Sequence, residues 1–128
     1  MRKVIGIGET VMDSLFRNNQ PEAAVPGGSC FNSIISLGRA HVPSLFVGYT
    51  GDDIVGRQTV EYLRNNGVGT SYFEERKGEK SCISLAYLND QGDAEYVFYK
   101  EKPKVFADAP IPEFKENDVM LYGSYYAI

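Results

Sequence analysis

A chain of 128 residues, 43% hydrophobic and 23% charged, can build one globular domain with a real core and is too apolar in composition to stay disordered. Its net charge of -4 offers no basic surface, which argues against nucleic acid or an anionic membrane as a partner, and no apolar run approaches the ~20 residues of a bilayer span. Met1-Arg2-Lys3 leads straight into an apolar stretch instead of a signal peptide, and Cys30 and Cys82 lack metal-ligand spacing, so a cytoplasmic chain with reduced thiols and no metal site of its own is expected.

In chain order, the apolar run Lys3 to Ile7 predicts a strand buried on both faces of a mostly parallel sheet. Phe31 to Ala40 changes to helical spacing, with Phe31, Ile34, Ile35 and Gly38 on one stripe and Ser29 placed to cap the first turn. A second strand, Ser44 to Tyr49, leads into Thr50-Gly51-Asp52-Asp53, where either aspartate can cap a second helix. Asn66-Gly67-Val68 supplies that helix with a left-handed stop, Val68 folding back on Leu63. The rhythm is βαβ, the mark of a layered α/β sheet. Glu74-Glu75-Arg76-Lys77 and Glu79-Lys80 read as a solvated connection.

Cys82 to Lys100 breaks the rhythm: Ile83, Leu85 and Tyr87 alternate with Ser84, Ala86 and Leu88, and Asn89-Asp90-Gln91-Gly92-Asp93 turns the chain into Tyr96-Val97-Phe98-Tyr99. This predicts a β-hairpin with apolar side chains on both faces, so a ligand, another part of the chain or a second subunit must cover one of them. A proline-bearing loop over Val105 to Pro112 precedes a last buried strand, Asp118 to Gly123, after which a parallel architecture is expected to continue.

Two phosphate motifs fail. Gly6-Ile7-Gly8-Glu9-Thr10-Val11 begins like a dinucleotide fingerprint but has Val11 at the third glycine, and Gly27-Gly28-Ser29 lacks the Lys-Ser/Thr pair of a P-loop. What remains suits a polyol. Asp13, past the first strand's C-terminal end, can accept hydrogen bonds from two adjacent hydroxyls; Gly27 and Gly28 admit a ligand to the amides of a helix start; Asn32, one turn in, can donate and accept. Singly, each has a plainer reading: a cap, a turn, a solvated side chain. His41 and Cys30 read as structural.

Together, Pro26-Gly27-Gly28-Ser29-Cys30-Phe31-Asn32-Ser33, Leu37-Gly38-Arg39-Ala40 and Phe46-Val47-Gly48-Tyr49-Thr50-Gly51-Asp52-Asp53-Ile54-Val55-Gly56 resemble the N-terminal signature of ribokinase-type (pfkB family) carbohydrate kinases. The resemblance extends over essentially the whole chain. It implies an α/β Rossmann-like (ribokinase-like) core, incomplete on its C-terminal side, across residues 1–128, with a small antiparallel β lid near residues 14–26 and 82–101. It also implies sugar contacts from Asp13, Gly27, Gly28 and Asn32. The two-faced hairpin looks like the family's lid, with Ser84, Ala86 and Phe98 sharing the face that closes over the sugar and Leu15-Phe16-Arg17 and Ala23-Ala24-Val25 as further lid strands about an Asn18 to Glu22 turn.

The parent protein implied is a cytoplasmic, ATP- and Mg2+-dependent kinase, with a monovalent-cation site, that phosphorylates a sugar's primary hydroxyl and dimerises through the lid. Fructose is the first choice; ribose, 2-keto-3-deoxygluconate and nucleosides are rivals. No counterpart of the family's Gly-Ala-Gly-Asp stretch, with its catalytic base, or of its nucleotide site occurs in the sequence. The expectation is therefore that this segment alone holds no ATP and does not turn over; the competing expectation is a non-catalytic sugar-binding or dimerisation fragment.

Overall fold

A computed structural model describes residues 2–100 and 110–123, so the expected loop from Val105 and the tyrosines Tyr125 and Tyr126 fall wholly or largely outside the described residues. The first strand, β1 (Val4–Ile7), pairs in parallel with β4 (Ser44–Gly51) on one side and β8 (Val119–Tyr122) on the other, and β4 pairs in parallel with β5 (Phe73–Arg76). The resulting order is β5-β4-β1-β8. Two helices, α1 (Ser29–Arg39) and α2 (Ile54–Asn65), supply the crossovers and pack their apolar stripes on the sheet.

The core lies between those helices and one face of the sheet. Phe31, Ile34, Leu63 and Phe46 are fully buried there, with Phe31 edge-on to Phe46 at 5.5 Å between ring centroids and Phe46 tilted against Phe73 at 5.8 Å. Rings in such offset geometries gain quadrupole attraction beyond the area they bury. Helix α2 ends as its sequence predicts: Gly67 turns left-handed (φ 78), the Val68 amide donates to the Leu63 carbonyl and the Gly67 amide to that of Arg64.

A second sheet, order β3-β2-β6-β7, is built from β2 (Val11–Arg17), β3 (Gln20–Gly27), β6 (Ile83–Leu88) and β7 (Ala94–Tyr99). The β2–β3 and β6–β7 pairs are antiparallel hairpins joined by a parallel β2–β6 pair, so the lid expected as antiparallel carries one parallel seam at its centre. Asn18 and Asn19 make the first turn with φ of 49 and 61, a backbone that asparagine tolerates better than most side chains, so β2 ends at Arg17 as expected while β3 begins at Gln20, closer to the tip than expected.

Three local expectations are corrected. The strand expected to be buried over Asp118 to Gly123 is β8, which lies at the edge of the first sheet with Val119, Met120 and Tyr122 exposed. Ser29 does not cap α1: it is the first helical residue, and Gly28 occupies the cap with no side-chain hydrogen bond. The stretch Glu74 to Arg76 is not a loop but most of β5, an edge strand held by backbone pairing to β4 and by one inward side chain, Phe73. Charged residues suit an edge strand exposed to water, which is why composition hid it.

Candidate functional site

The β2 strand carries Asp13 within the second sheet, two residues after Val11, where the chain has just left the C-terminal end of β1. Register places Asp13 beside Val25 on β3 and Ser84 on β6, and Ser84 beside Phe98 on β7. Strand alternation then sets Ser84, Ala86 and Phe98 on one face, the arrangement expected of the hairpin, and the β2–β6 register adds Asp13 to it.

The contacts are close. The Ser84 hydroxyl, fully buried, donates to Oδ1 of Asp13 at 2.5 Å. Its other oxygen, Oδ2, lies against Gly27, where an added Cβ would come within 2.6 Å of it. Among the described residues no hydrogen bond is made to Oδ2, so its lone pairs have no donor within the protein. Asp13 is only partly buried, so the site is reachable, whereas Ala86 is sealed and Phe98 is 53% exposed at the rim.

Gly28 adopts φ 137 and ψ 151, a conformation essentially confined to glycine, and a Cβ there would stand 2.5 Å from the Glu9 carbonyl. That compaction brings the β1–β2 turn against the start of α1. Asn32 is exposed one turn along, its amide bonded to the Gly28 carbonyl at 2.9 Å; no hydrogen bond joins its side chain to Asp13. Gly27 and Asp13 are thus brought into contact, while Gly28 packs on the Glu9 backbone and Asn32 is tied to Gly28 through its amide.

Sequence reasoning missed Lys100. At the end of β7 its ammonium sits 3.4 Å from the Glu9 carboxylate and 4.9 Å from the centre of the Phe98 ring, linking the lid to the β1–β2 turn. The spacing of a residue just past a hairpin strand carried no signal for that contact. Cys30 is buried beneath the site; burial pushes its thiol up, against the lowering influence of a backbone hydrogen bond at Ile7, and its Sγ donates to the Leu121 carbonyl at 3.3 Å. It packs, as expected. His41 is exposed in a left-handed turn after α1 (φ 61). No group of three or more His, Cys, Asp or Glu among the described residues is arranged to hold a metal. Nor is any described helix long and apolar enough to cross a membrane.

The chain is 30% identical to the fructokinase of Escherichia coli over 96 residues, 75% of this chain and 31% of that protein. Its fold matches the apo fructokinase structure from Vibrio cholerae O395 with a TM-score of 0.71 at 23% identity, covering 79% of this chain and 35% of that one. The fructokinase of Xylella fastidiosa, solved with bound ATP, matches with a TM-score of 0.66 at 22% identity over 78% of this chain and 34% of that one. The chain therefore spans about a third of the length of these relatives. Residues 1–125 match the family described as "pfkB family carbohydrate kinase", and the chain belongs to that family.

Proposed function

We propose that this chain is the sugar-gripping portion of an ATP-dependent kinase that phosphorylates a sugar's primary hydroxyl, with fructose the preferred substrate. The observation that carries the reading is the Asp13 carboxylate, fixed through Oδ1 by Ser84 and held open at Oδ2 against Gly27. A carboxylate fixed at one oxygen presents the other to neighbouring hydroxyls in charge-assisted hydrogen bonds, stronger than neutral ones. The amides at the start of α1 and the Asn32 side chain offer donors for the hydroxyl oxygens. Phe98, with Tyr96 stacked on it at 5.8 Å, supplies an apolar wall against a sugar's C–H face.

In this reading the segment holds the acceptor in place, the positioning part of phosphoryl transfer. The nucleotide cradle and the base belong elsewhere in the protein, and the 128 residues alone are expected to bind sugar without releasing ADP. The fructose preference is supported by the E. coli relative. The lid face opposite Asp13 carries Phe16 stacked on Tyr87 at 4.9 Å, together with exposed Val97 and Tyr99, and suits a second copy of the chain.

The test is binding. Across fructose, ribose, 2-keto-3-deoxygluconate and nucleosides, fructose is expected to raise the melting temperature most; Asp13→Ala abolishes that rise and His41→Ala leaves it intact. A rise that survives Asp13→Ala refutes the clamp.

A further inference from the structure

The second sheet hangs from the first by a few crossings, and one of them is tied by side chains. The chain leaves the central sheet at Arg76 and enters the lid at Ile83, through residues 77–82. Near its end, the Ser81 hydroxyl donates to Oδ1 of Asp53 at 2.6 Å and the Ser81 amide donates to Oδ2 at 2.9 Å. With its proton committed to Asp53, the same hydroxyl accepts from the Gly51 amide at 3.1 Å and pairs with the Thr50 hydroxyl at 2.8 Å, which must then donate. Both lone pairs and the one proton of Ser81 are used. Asp53 caps α2 at the same time, its Oδ1 accepting the Gly56 amide at 2.9 Å.

The tie leads to the site along the backbone. The next carbonyl, that of Cys82, accepts the Met12 amide at 3.0 Å, which begins the β2–β6 seam, and two residues on Ser84 meets Asp13. Three residues of strand span roughly 10 Å, so the start of β6 is fixed close to where its register against β2 decides which hydroxyl reaches Asp13.

We infer that Ser81, gripped by Asp53, is a positioning residue for the sugar site: it anchors the entry of β6 to the α2 cap so that Ser84 is presented to Asp13. This inference rests on the sugar-binding reading above. Ser81 touches no ligand and acts only through Ser84.

The experiment uses the full-length protein. Ser81→Ala is expected to weaken sugar binding roughly tenfold while leaving ATP affinity unchanged, the scale of a lost hydrogen bond to a charged group. Amide hydrogen exchange should quicken at Met12 and along β6 but not in α2, whose cap survives. In a double-mutant cycle, Ser81→Ala should add little to the loss caused by Ser84→Ala. Should Ser81→Ala not fold, Thr50→Val, which removes one donor to the same hydroxyl, is expected to give a smaller loss of sugar affinity, about threefold. Wild-type sugar affinity in both variants, or full additivity with Ser84→Ala, overturns the inference while leaving the sugar reading standing. An unaltered protein that binds no sugar in the panel brings down the reading itself, and the inference with it.

Discussion

Gly27 and Asp13 are neighbours through space that leave no room for one more carbon: a Cβ on Gly27 would stand 2.6 Å from Oδ2 of Asp13. Gly27 itself has an unexceptional backbone, so the glycine is demanded by the carboxylate beside it and not by its own φ. Gly27→Ala therefore moves Asp13 without straining the chain. We expect a loss of sugar affinity of roughly tenfold or more, with stability changed by only about 1 kcal/mol, because a short polar side chain gives way at small cost. Calorimetric titration beside thermal unfolding checks it; equal losses in both would mean that the glycine serves packing alone.

The adjacent Gly28 predicts the opposite pattern. Its φ of 137 is closed to other residues, and a side chain there meets the Glu9 backbone oxygen, which cannot swing aside. Strain of this kind costs about 1–3 kcal/mol before the clash is added. Gly28→Ala should lower the unfolding free energy from urea titration by at least that much, and an unchanged value would show that the turn relaxes freely.

The lid's outer face makes a third case. Val97 and Tyr99 are 42% and 55% exposed on the face away from Asp13. If a second copy covers them, the paired substitution Val97→Lys with Tyr99→Glu should convert a dimer to a monomer in sedimentation, yet leave sugar affinity within about twofold because Asp13 and Ser84 face the other way. A protein that is monomeric before substitution removes the dimer proposal.

How much of this was legible beforehand follows from the range of each signal. The stop of α2 at Gly67 and Val68 could be read because a Schellman cap is written in adjacent residues. The shared face of Asp13, Ser84 and Phe98 divides in two. Alternation gave Ser84 and Ala86, but the parallel seam that brings Ser84 against Asp13, 71 residues away, is a long-range pairing that no local pattern carries. Charge hid β5, because an edge strand needs only Phe73 to point inward. Ser29 resembled a cap, but glycine took the position because the close approach of Gly28 to Glu9 excludes any side chain there. Lys100 and Ser81 stayed invisible because their meaning lies in partners far along the chain.

Acid should loosen the base of β8. Asp118 accepts from the Lys3 ammonium at 2.6 Å, the Lys3 amide at 3.0 Å and the Lys115 amide at 2.8 Å, pinning the start of β8 to the start of β1. The Lys3 side chain first, then the Lys115 and Lys3 amides, hold its carboxyl down to about 2. An unfolded aspartate titrates near 3.9, so the folded form binds its proton less readily and the group favours folding wherever it is ionised. Its contribution is complete above about pH 5, shrinks as pH falls through about 4, and is gone below about 2. Asp118→Asn should therefore lie well below the unaltered protein in urea midpoint near neutral pH and meet it at about pH 2. A gap between the two that stays constant over that range would mean that the carboxylate's charge plays no part in holding β8 to β1.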